Sequence, residues 1–345
     1  MNYFKTNRQA ILLVVVLMLM YACNDAEVPK LTIVSKISGI TEIRRNSAVS
    51  GGIAISDKPI IARGICWSTN PNPTINDSLT IMENSNGNFT SKMTNLLPAT
   101  KYYVCAYATN EIGTGYSDTL SFSTLGGIWG KNVTDIDNNE YHTITIGTQT
   151  WMVENLKTTK YRNGDLIGTT SPYNLDISQE PAPKYQWAYD GNETNVENYG
   201  RLYSWYTITD LRNVAPIGWH VATYEDWMTL KYYLMENGYS SNYVKWDESI
   251  AKSLASKNLW KTTEYSSCVG NNQTTNNNSD FNAVPSGLRN PEGTFVELGI
   301  SAHWFATEMS QSYAYKISLE FNDDRYGITY GANKSGVAVR CVKDK

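Results

Sequence analysis

The stretch DIDNNEYHTITIGTQTWMVENLK, residues 135–157, decides how the C-terminal half of the chain folds. Asp135 and Asp137 stand at alternate positions, like the first ligands of a calcium loop. A helix–loop–helix calcium site also needs glycine at the sixth loop position and glutamate at the twelfth, where this chain has Glu140 and Ile146. The stretch therefore does not match that kind of calcium site.

The residues after the acidic start alternate in polarity, which is the pattern of a half-buried strand. Residues 141–146 form one such run, Gly147 supplies a turn, and a second run carries Trp151. We predict a hairpin over this stretch, with DIDNNE as the polar turn before it. A calcium ion bound by that turn alone is an alternative.

Residues 1–22 have the pattern of a secretory signal peptide. Lys5 and Arg8 precede an apolar run over residues 11–20, which is too short to span a bilayer. The segment ends in LMYAC, which resembles the lipobox of bacterial lipoproteins and has a small residue directly before the cysteine. That resemblance implies a lipidated Cys23; an ordinary signal peptide followed by an unmodified cysteine is the alternative.

Residues 23–29 are mostly polar, and we predict that they form a short tether. A lipid anchor at the first of them would make the membrane a partner and place the protein at the outer membrane or cell surface, on the extracytoplasmic side. The net charge of −4, without a basic cluster, argues against nucleic acid as a partner. The 24 tyrosines, 10 tryptophans and only 3 histidines are typical of a β-rich binding or structural protein rather than of a metal enzyme.

Residues 30–125 consist of short alternating runs separated by turns, which predicts an all-β sandwich. The run LLPATKYYVCAYATN resembles the tyrosine corner and the following strand of a fibronectin type III domain, with Tyr102 at the corner. RGICWSTNPNPT resembles such modules in Bacteroidetes lipoproteins. In that fold the strands that carry Cys66 and Cys105 are neighbours, and both side chains are expected to face outward. A disulfide between them and two unpaired thiols are the alternatives.

Two short motifs in this module resemble the acceptor for O-glycosylation in Bacteroidetes. They are DSL, with Ser78, and DTL, with Thr119. The pattern Asp-Ser/Thr-apolar is short enough to recur by chance, so both hydroxyls are candidates only. Nothing else in the module carries chemistry, and we expect it to be a spacer that lifts the following domain off the membrane.

Residues 126–345 form the second predicted domain, and they carry five motifs of one family. These are the opening stretch quoted above, YGRLYSWYTITD, APIGWHVATYEDWMTL, FNAVPSGLRN and GVAVRCVKD. In this order they resemble the Fibrobacter succinogenes major paralogous domain (FISUMP). The resemblance implies a C-type-lectin-like fold, akin to the formylglycine-generating enzyme, with no firmly assigned activity. The expected class is therefore a multidomain chain: an all-β fibronectin III/Ig-like sandwich followed by an α+β C-type-lectin-like domain.

One helix of this domain is well marked. Thr223 is placed as the N-cap, Asp226 as the acid of a capping box, and Gly238 as the residue after the helix. Trp227, Leu230 and Leu234 follow the spacing of one buried face. A second, shorter helix is expected in DESIAKSLASKN.

The sequence contains few residues in patterns typical of catalytic sites. No histidine has metal-ligand spacing, and neither a G-x-S-x-G elbow nor a phosphate loop exists. The formylglycine-generating enzyme uses a cysteine pair for copper; here Cys268 and Cys341 are the cysteines available, and in a secreted protein we predict that they form a structural disulfide. We therefore expect no enzyme activity, no cofactor and no metal.

With catalysis not expected, the remaining candidate function is surface recognition, by an aromatic segment followed by an acidic, amide-rich loop. Exposed rings beside amides and acids suit sugar binding, because rings stack on C–H faces and polar groups bind hydroxyls. The candidate ligand-binding residues are Tyr185, Trp187, Tyr189, Asp190, Asn192 and Asn195. If these rings are core instead, the loop is a solvated turn. The asparagine-rich loop from Cys268 to Asp280 is a further candidate for recognition, or a long surface excursion.

Two functions follow from these patterns. One is a non-catalytic binding module of an envelope or surface lipoprotein, which recognises a glycan or a surface protein and acts in adhesion. The other is a structural subunit or tip component of a surface assembly. Exposed tryptophans gathered in one concave patch would favour the first.

Overall fold

The computed structural model describes residues 33–82, 85–310 and 312–345. The predicted signal peptide, the lipidation site Cys23 and the tether over residues 23–29 lie outside the described residues. Within the described part, strands dominate and helices are few. No helix there is both long enough and apolar enough to cross a membrane.

The N-terminal part is a sandwich of two antiparallel sheets. One sheet has the strand order β1-β2-β5, and the other has the order β4-β3-β6-β7, with β8 also paired to β6. The strands are β1 (Ile33–Ile37), β2 (Ala48–Ser56), β3 (Ala62–Ser68), β4 (Ser78–Leu79), β5 (Gly87–Met93), β6 (Lys101–Thr109), β7 (Thr114–Tyr116) and β8 (Leu120–Ser123). This division of strands between the two sheets is the fibronectin type III arrangement that the sequence predicted.

The tyrosine corner and the inward face of β6 are as predicted. Tyr102 is buried, and its hydroxyl accepts a hydrogen bond from the backbone N–H of Leu97 at 3.0 Å. Val104, Ala106 and Ala108 alternate with it into the sandwich core. Because period-two alternation follows directly from strand geometry, this face could be predicted without knowledge of the rest of the fold.

Cys66 and Cys105 lie on the outer face of their sheet, as predicted, but that face is covered. They are directly opposite each other in the register of β3 and β6, but both are buried. Both thiols donate to the backbone oxygen of Pro73, so the segment that carries this proline covers them. The two sulfur atoms lie 3.1 Å apart and both cysteines are free, so the structure contains adjacent thiols rather than the bridge.

The C-terminal part contains several small sheets arranged around two clusters of buried hydrophobic side chains. A five-stranded sheet has the order β16-β22-β13-β12-β9, and a three-stranded sheet has the order β19-β20-β21. The strands are β9 (Ile128–Trp129), β10 (Val133–Thr134), β11 (Glu140–Tyr141), β12 (Thr143–Ile146), β13 (Gln149–Met152), β14 (Gln186–Trp187), β15 (Leu202–Tyr203), β16 (Trp219–Val221), β17 (Ser286–Arg289), β18 (Phe295–Leu298), β19 (Ser301–Ser310), β20 (Tyr313–Glu320), β21 (Gly327–Gly331) and β22 (Cys341–Lys343).

The predicted hairpin is present as β12 and β13, joined through Gly147 at a φ of 63°. The acidic turn before it is closed by the protein's own donors. Asp135 is buried and accepts hydrogen bonds from two backbone N–H groups of the turn, from the amide of Asn139 and from the hydroxyl of Tyr141. Asp137 pairs with Lys160 at 2.8 Å. The described residues contain no group of three or more acidic, histidine or cysteine side chains able to hold a metal ion.

The helices are short apart from one. They are α1 (Asn195–Tyr199), α2 (Trp205–Ile208), α3 (Tyr224–Glu236) and α4 (Ala251–Leu254). Helix α3 has the predicted capping box between Thr223 and Asp226. Its buried face carries Trp227, Leu230 and Leu234, as the spacing indicated.

Trp227 joins a cluster of four buried rings at the centre of the C-terminal part. The other members are Trp151 from the opening hairpin, Phe281, and Trp304 from β19. Neighbouring ring centres lie between 4.8 and 6.1 Å apart, which is the range for attractive aromatic pairs. The hairpin, the long helix and the three-stranded sheet therefore meet in one core.

The predicted disulfide between Cys268 and Cys341 is not formed. The thiol of Cys268 donates to the backbone oxygen of Asn322 at 3.1 Å, whereas Cys341 lies in β22 opposite Val221. Both cysteines are free and buried in different surroundings. No sequence pattern relates the asparagine-rich loop to the last strand, so the distance between these two thiols depends on the tertiary structure.

The sandwich and the C-terminal part are joined by specific contacts. Arg45 forms an ion pair with the buried Asp280, and Gly126 exchanges hydrogen bonds with the hydroxyl of Tyr239. Leu125 belongs to the C-terminal core, and Ile43 packs against it. The C-terminal core therefore includes side chains that precede residue 126.

Candidate functional site

The aromatic segment predicted to bind a ligand is part of the core. Trp187 is 1% exposed and Tyr189 is 6% exposed, and Tyr185 packs against the same cluster. The indole N–H of Trp187 donates to the hydroxyl of Thr170 at 2.9 Å, and the guanidinium of Arg289 lies 4.4 Å from its ring centre. The prediction that these rings form a sugar-stacking surface is therefore wrong.

The polar residues after this segment stay at the surface but serve the turn. Asp190 and Asn192 are exposed, and the side-chain oxygen of Asn192 accepts hydrogen bonds from Thr194. The amide of Asn195 donates to the backbone oxygen of Tyr189 at 3.1 Å. Without an accessible ring, these three side chains lack the partner that the sugar-binding prediction required.

The exposed tryptophans lie elsewhere. Trp129 is 53% exposed, and Trp246 is 59% exposed in the loop between α3 and α4. The asparagine-rich loop packs near this second loop and is well anchored. Asn276 is buried and donates to two backbone oxygens, and the hydroxyl of Ser279 donates to another. These hydrogen bonds hold the loop against the rest of the C-terminal part, so it does not extend freely into solvent.

Between these loops and the sandwich lies a cavity of about 280 Å³, which we call the polar cleft. Arg44 comes from the sandwich, and every other lining residue comes from the C-terminal part. The lining consists of two cations and one ring (Arg44, Lys252 and Tyr243), six hydroxyl side chains (Ser240, Ser241, Ser253, Ser266, Ser267 and Thr275) and three amides (Asn271, Asn272 and Asn278).

Some polar groups of the cleft have no partner within the described part of the chain. The side chains of Asn278 and Ser266 make no hydrogen bond there, and Nε of Arg44 is buried without an acceptor. The guanidinium of Arg44 stacks on Tyr243, with its carbon 4.5 Å from the ring centre. A concave site with a few unsatisfied polar groups and one ring is what small polar ligands use.

Sequence reasoning identified only the asparagine-rich wall of this cleft. Arg44 is about 200 residues away from Tyr243 and Lys252 along the chain, and none of the three lies in a recognisable motif. No local signal could have grouped them. Ser78 and Thr119, the candidate glycosylation sites, are exposed on the sandwich and stay predictions.

Other concave regions fit a small polar ligand less well. An apolar groove of about 180 Å³ is lined by Ile136 and Ile217, and its Arg162 is already hydrogen-bonded to three backbone oxygens. Two further depressions flank His220 and include acidic side chains. In these, Asp226 and Asp344 are held by the imidazole at 2.9 and 2.8 Å.

The ion pairs of His220 predict a pH-dependent stability. Asp226 and Asp344 raise the pKa of His220 against the opposing effect of partial burial. Burial raises the pKa of Asp226, but hydrogen bonds from His220 and Thr223 outweigh this and lower it to about 2. The histidine's contribution is therefore complete below its unfolded pKa of about 6.5 and is lost as pH rises through the raised folded value. The aspartate's contribution is present above about pH 3.9 and is lost as pH falls through the folded value.

We expect the free energy of unfolding of the wild type to exceed that of His220→Gln by about 0.5–1 kcal/mol at about pH 5.5. The gap should shrink at about pH 8.5, because the wild-type imidazole is then less protonated. Urea denaturation of both proteins at both pH values measures this difference in the free energy of unfolding. A gap of equal size at both would show that the charge of His220 contributes nothing.

No curated protein matches the chain. Among solved structures, similar chains include the chicken CNTN1 FN1-FN3 domains (17% identity, 25% of this chain and 30% of that chain, TM-score 0.22). Another is the sensor domain of the anti-sigma factor RsgI4 in Pseudobacteroides cellulosolvens (16% identity, 27% of this chain and 75% of that chain, TM-score 0.22). A third is the fibronectin type III domain of human fibronectin type III domain containing protein 3 (16% identity, 27% of this chain and 85% of that chain, TM-score 0.20).

The second half of the chain has its own match. The sequence profile of the Fibrobacter succinogenes major domain matches residues 144–343, which is more than half of the 345 residues. The matched region begins in β12 of the opening hairpin and ends with β22, so it includes the four-ring core and all of the polar cleft except Arg44. The chain therefore belongs to the Fibrobacter succinogenes major domain family.

Proposed function

We propose that this protein is a surface lipoprotein whose polar cleft binds a glycan without turning it over. Membership of this family, together with a fibronectin type III-like sandwich, indicates a surface-associated, non-catalytic module. Glycan binding and anchoring through Cys23 are the additional claims of the proposal. We also propose that residues 126–345 form a C-type-lectin-like domain, since the last strand returns to pair with the opening hairpin in one sheet.

The observation that carries the proposal is the unused hydrogen-bonding capacity of the polar cleft beside an accessible ring. Asn278 offers both donors and an acceptor, and Ser266 offers a hydroxyl. Tyr243 presents part of its ring at the same cavity. Sugars need this combination, because their hydroxyls pair with amides and their C–H faces stack on rings.

Glycan-array binding and calorimetric titration of the full chain, purified in detergent, test the proposal. We expect Asn278→Ala to weaken binding of the best array ligand several-fold, since one hydrogen bond contributes about 1 kcal/mol. Its melting temperature should not change, because the side chain makes no hydrogen bond to any residue that the structure describes. Asn198→Ala is the matched control: this asparagine is exposed, makes no side-chain hydrogen bond and lies beside the rejected aromatic segment.

The same ligand tests the anchor on whole cells of a Bacteroidetes host. Cells that express the wild type should bind the labelled glycan, and Cys23→Ala should move that binding into the medium. Binding that stays with the cells would argue against the lipid anchor. If no glycan binds the purified chain, the hypothesis of a structural subunit of a surface assembly takes precedence.

A further inference from the structure

The polar cleft contains a cation that no carboxylate among the described residues neutralises. Lys252 is the second residue of α4, and its ammonium donates to the backbone oxygens of Cys268, at 3.2 Å, and Asn271. An ammonium has three donors, so one is unused within the described part of the chain. Lys252 forms no ion pair there, and burial lowers its pKa.

Arg44 is the second cation of the cleft. Within the described residues it forms one ion pair, with Glu42 at 3.3 Å, and the two side chains are 40% and 55% exposed. Such a pair is weak and does not commit the guanidinium to one partner. Nη1 of Arg44 makes no hydrogen bond within the described residues, so the guanidinium retains donors beside the ring of Tyr243.

The acidic residues nearest the cleft already have ion-pair or hydrogen-bond partners, one of which is the cleft residue Ser267. No aspartate or glutamate is among the residues that line it. Asp280 binds Arg45, Asp324 accepts a hydrogen bond from Ser267 at 3.0 Å, and Asp247 accepts from Ser249 and Asn242. The cleft is therefore locally positive in a chain whose net charge is −4.

Partly buried cations are costly unless an opposite charge accompanies them, and here the fold supplies none to Lys252. We propose that the ligand of the polar cleft is an anionic saccharide, whose carboxylate or sulfate group is bound by Lys252 and Arg44 and whose hydroxyls are bound by Asn278 and Ser266. This inference rests on the proposed function and narrows its ligand class.

Three probes separate the possibilities on the full chain in detergent: a neutral disaccharide, the same disaccharide with a terminal uronate, and the same disaccharide with a sulfate. We expect one or both charged forms to bind at least about tenfold more tightly than the neutral form, since charge-assisted hydrogen bonds are about twice as strong as neutral ones. The charged disaccharide that binds more tightly shows whether the ligand's anionic group is a carboxylate or a sulfate. The advantage should decrease as salt rises, because screening weakens exposed charge pairs.

Lys252→Gln should remove most of the preference for the charged sugar, measured as the ratio of the affinities for the charged and the neutral sugar in the same variant. Arg44→Gln tests whether the second cation contributes to the preference for the charged sugar. It leaves in place the loop whose backbone oxygens accept hydrogen bonds from Lys252. Lys257→Gln, at an exposed lysine on the same segment, is the matched control and should keep the full preference. Thermal melting identifies any variant that fails to fold.

The outcomes separate this inference from the proposed function. Equal affinity for neutral and charged sugars, at any salt concentration, would overturn the anionic preference and leave glycan binding intact. Free inorganic sulfate that binds as tightly as the sulfated disaccharide would also overturn it, because the sugar would then contribute nothing. Failure of every saccharide to bind would remove the proposed function itself, and this inference with it.

Discussion

Replacing Arg340 by methionine should lower the free energy of unfolding of the C-terminal part by about 3–5 kcal/mol. The guanidinium is 1% exposed and donates to the side-chain oxygen of Asn155 and to the backbone oxygens of Met152, Phe281 and Asn282. Methionine fills a similar volume but removes the donor from the three backbone oxygens and leaves Asn155 with only its other donor, Trp304. Each buried acceptor left unpaired costs about 1–3 kcal/mol.

Arg340 also links elements that are distant in sequence. Its acceptors come from the opening hairpin and from the segment around Phe281, and its guanidinium lies 4.6 Å from the ring centre of Phe281. Asn155, which accepts from Arg340, accepts as well from the indole N–H of Trp304 at 2.9 Å. Loss of the guanidinium should therefore disturb the four-ring core.

Urea denaturation followed by tryptophan fluorescence measures the effect, since nine of the ten tryptophans follow Gly127. Arg340→Lys should recover little stability, because an ammonium cannot reproduce the fork of donors. Arg325→Met is the control: Arg325 is exposed and pairs with Asp323, so its loss should change stability by less than about 1 kcal/mol. A similarly small change in Arg340→Met would show that the buried network does not stabilise the fold.

Trp187→Ala is the second substitution with a large expected effect. We expect a loss of about 3–5 kcal/mol in the free energy of unfolding, because a fully buried indole leaves a large cavity. The substitution also removes the hydrogen bond to Thr170 and the surface on which Arg289 stacks. Gly336 fits against the same ring so closely that an added β-carbon would lie 2.9 Å from it, so the neighbours are shaped around the indole.

Binding and stability separate the two interpretations of Trp187. At temperatures where Trp187→Ala is folded, it should bind the ligand of the polar cleft as the wild type does. Trp129→Ala, at a tryptophan that is half exposed, should cost less than about 1 kcal/mol of stability and serves as the control. A specific binding defect in Trp187→Ala, with its melting temperature unchanged, would restore the original prediction that this ring contacts the ligand.

The sequence by itself determined the features that depend on neighbours along the chain. The hairpin of β12 and β13 follows from alternation around a glycine turn, and the start of α3 follows from Thr223 and Asp226 one turn apart. The tyrosine corner at Tyr102 is equally local. In each case the backbone period, or a hydrogen bond across a few residues, defines the structure, so no distant contact is needed.

The tertiary structure alone decided which faces are covered. Alternation placed Cys66 and Cys105 on the second face of their sheet, but only the folded chain brings the backbone oxygen of Pro73 over that face. The polar cleft likewise could not be predicted from the sequence, because Arg44 and Lys252 line one cavity only when the sandwich packs on the C-terminal part. A side-chain pattern reports the direction in which a residue points. Whether water, another strand or a ligand occupies that space depends on segments far away in the sequence.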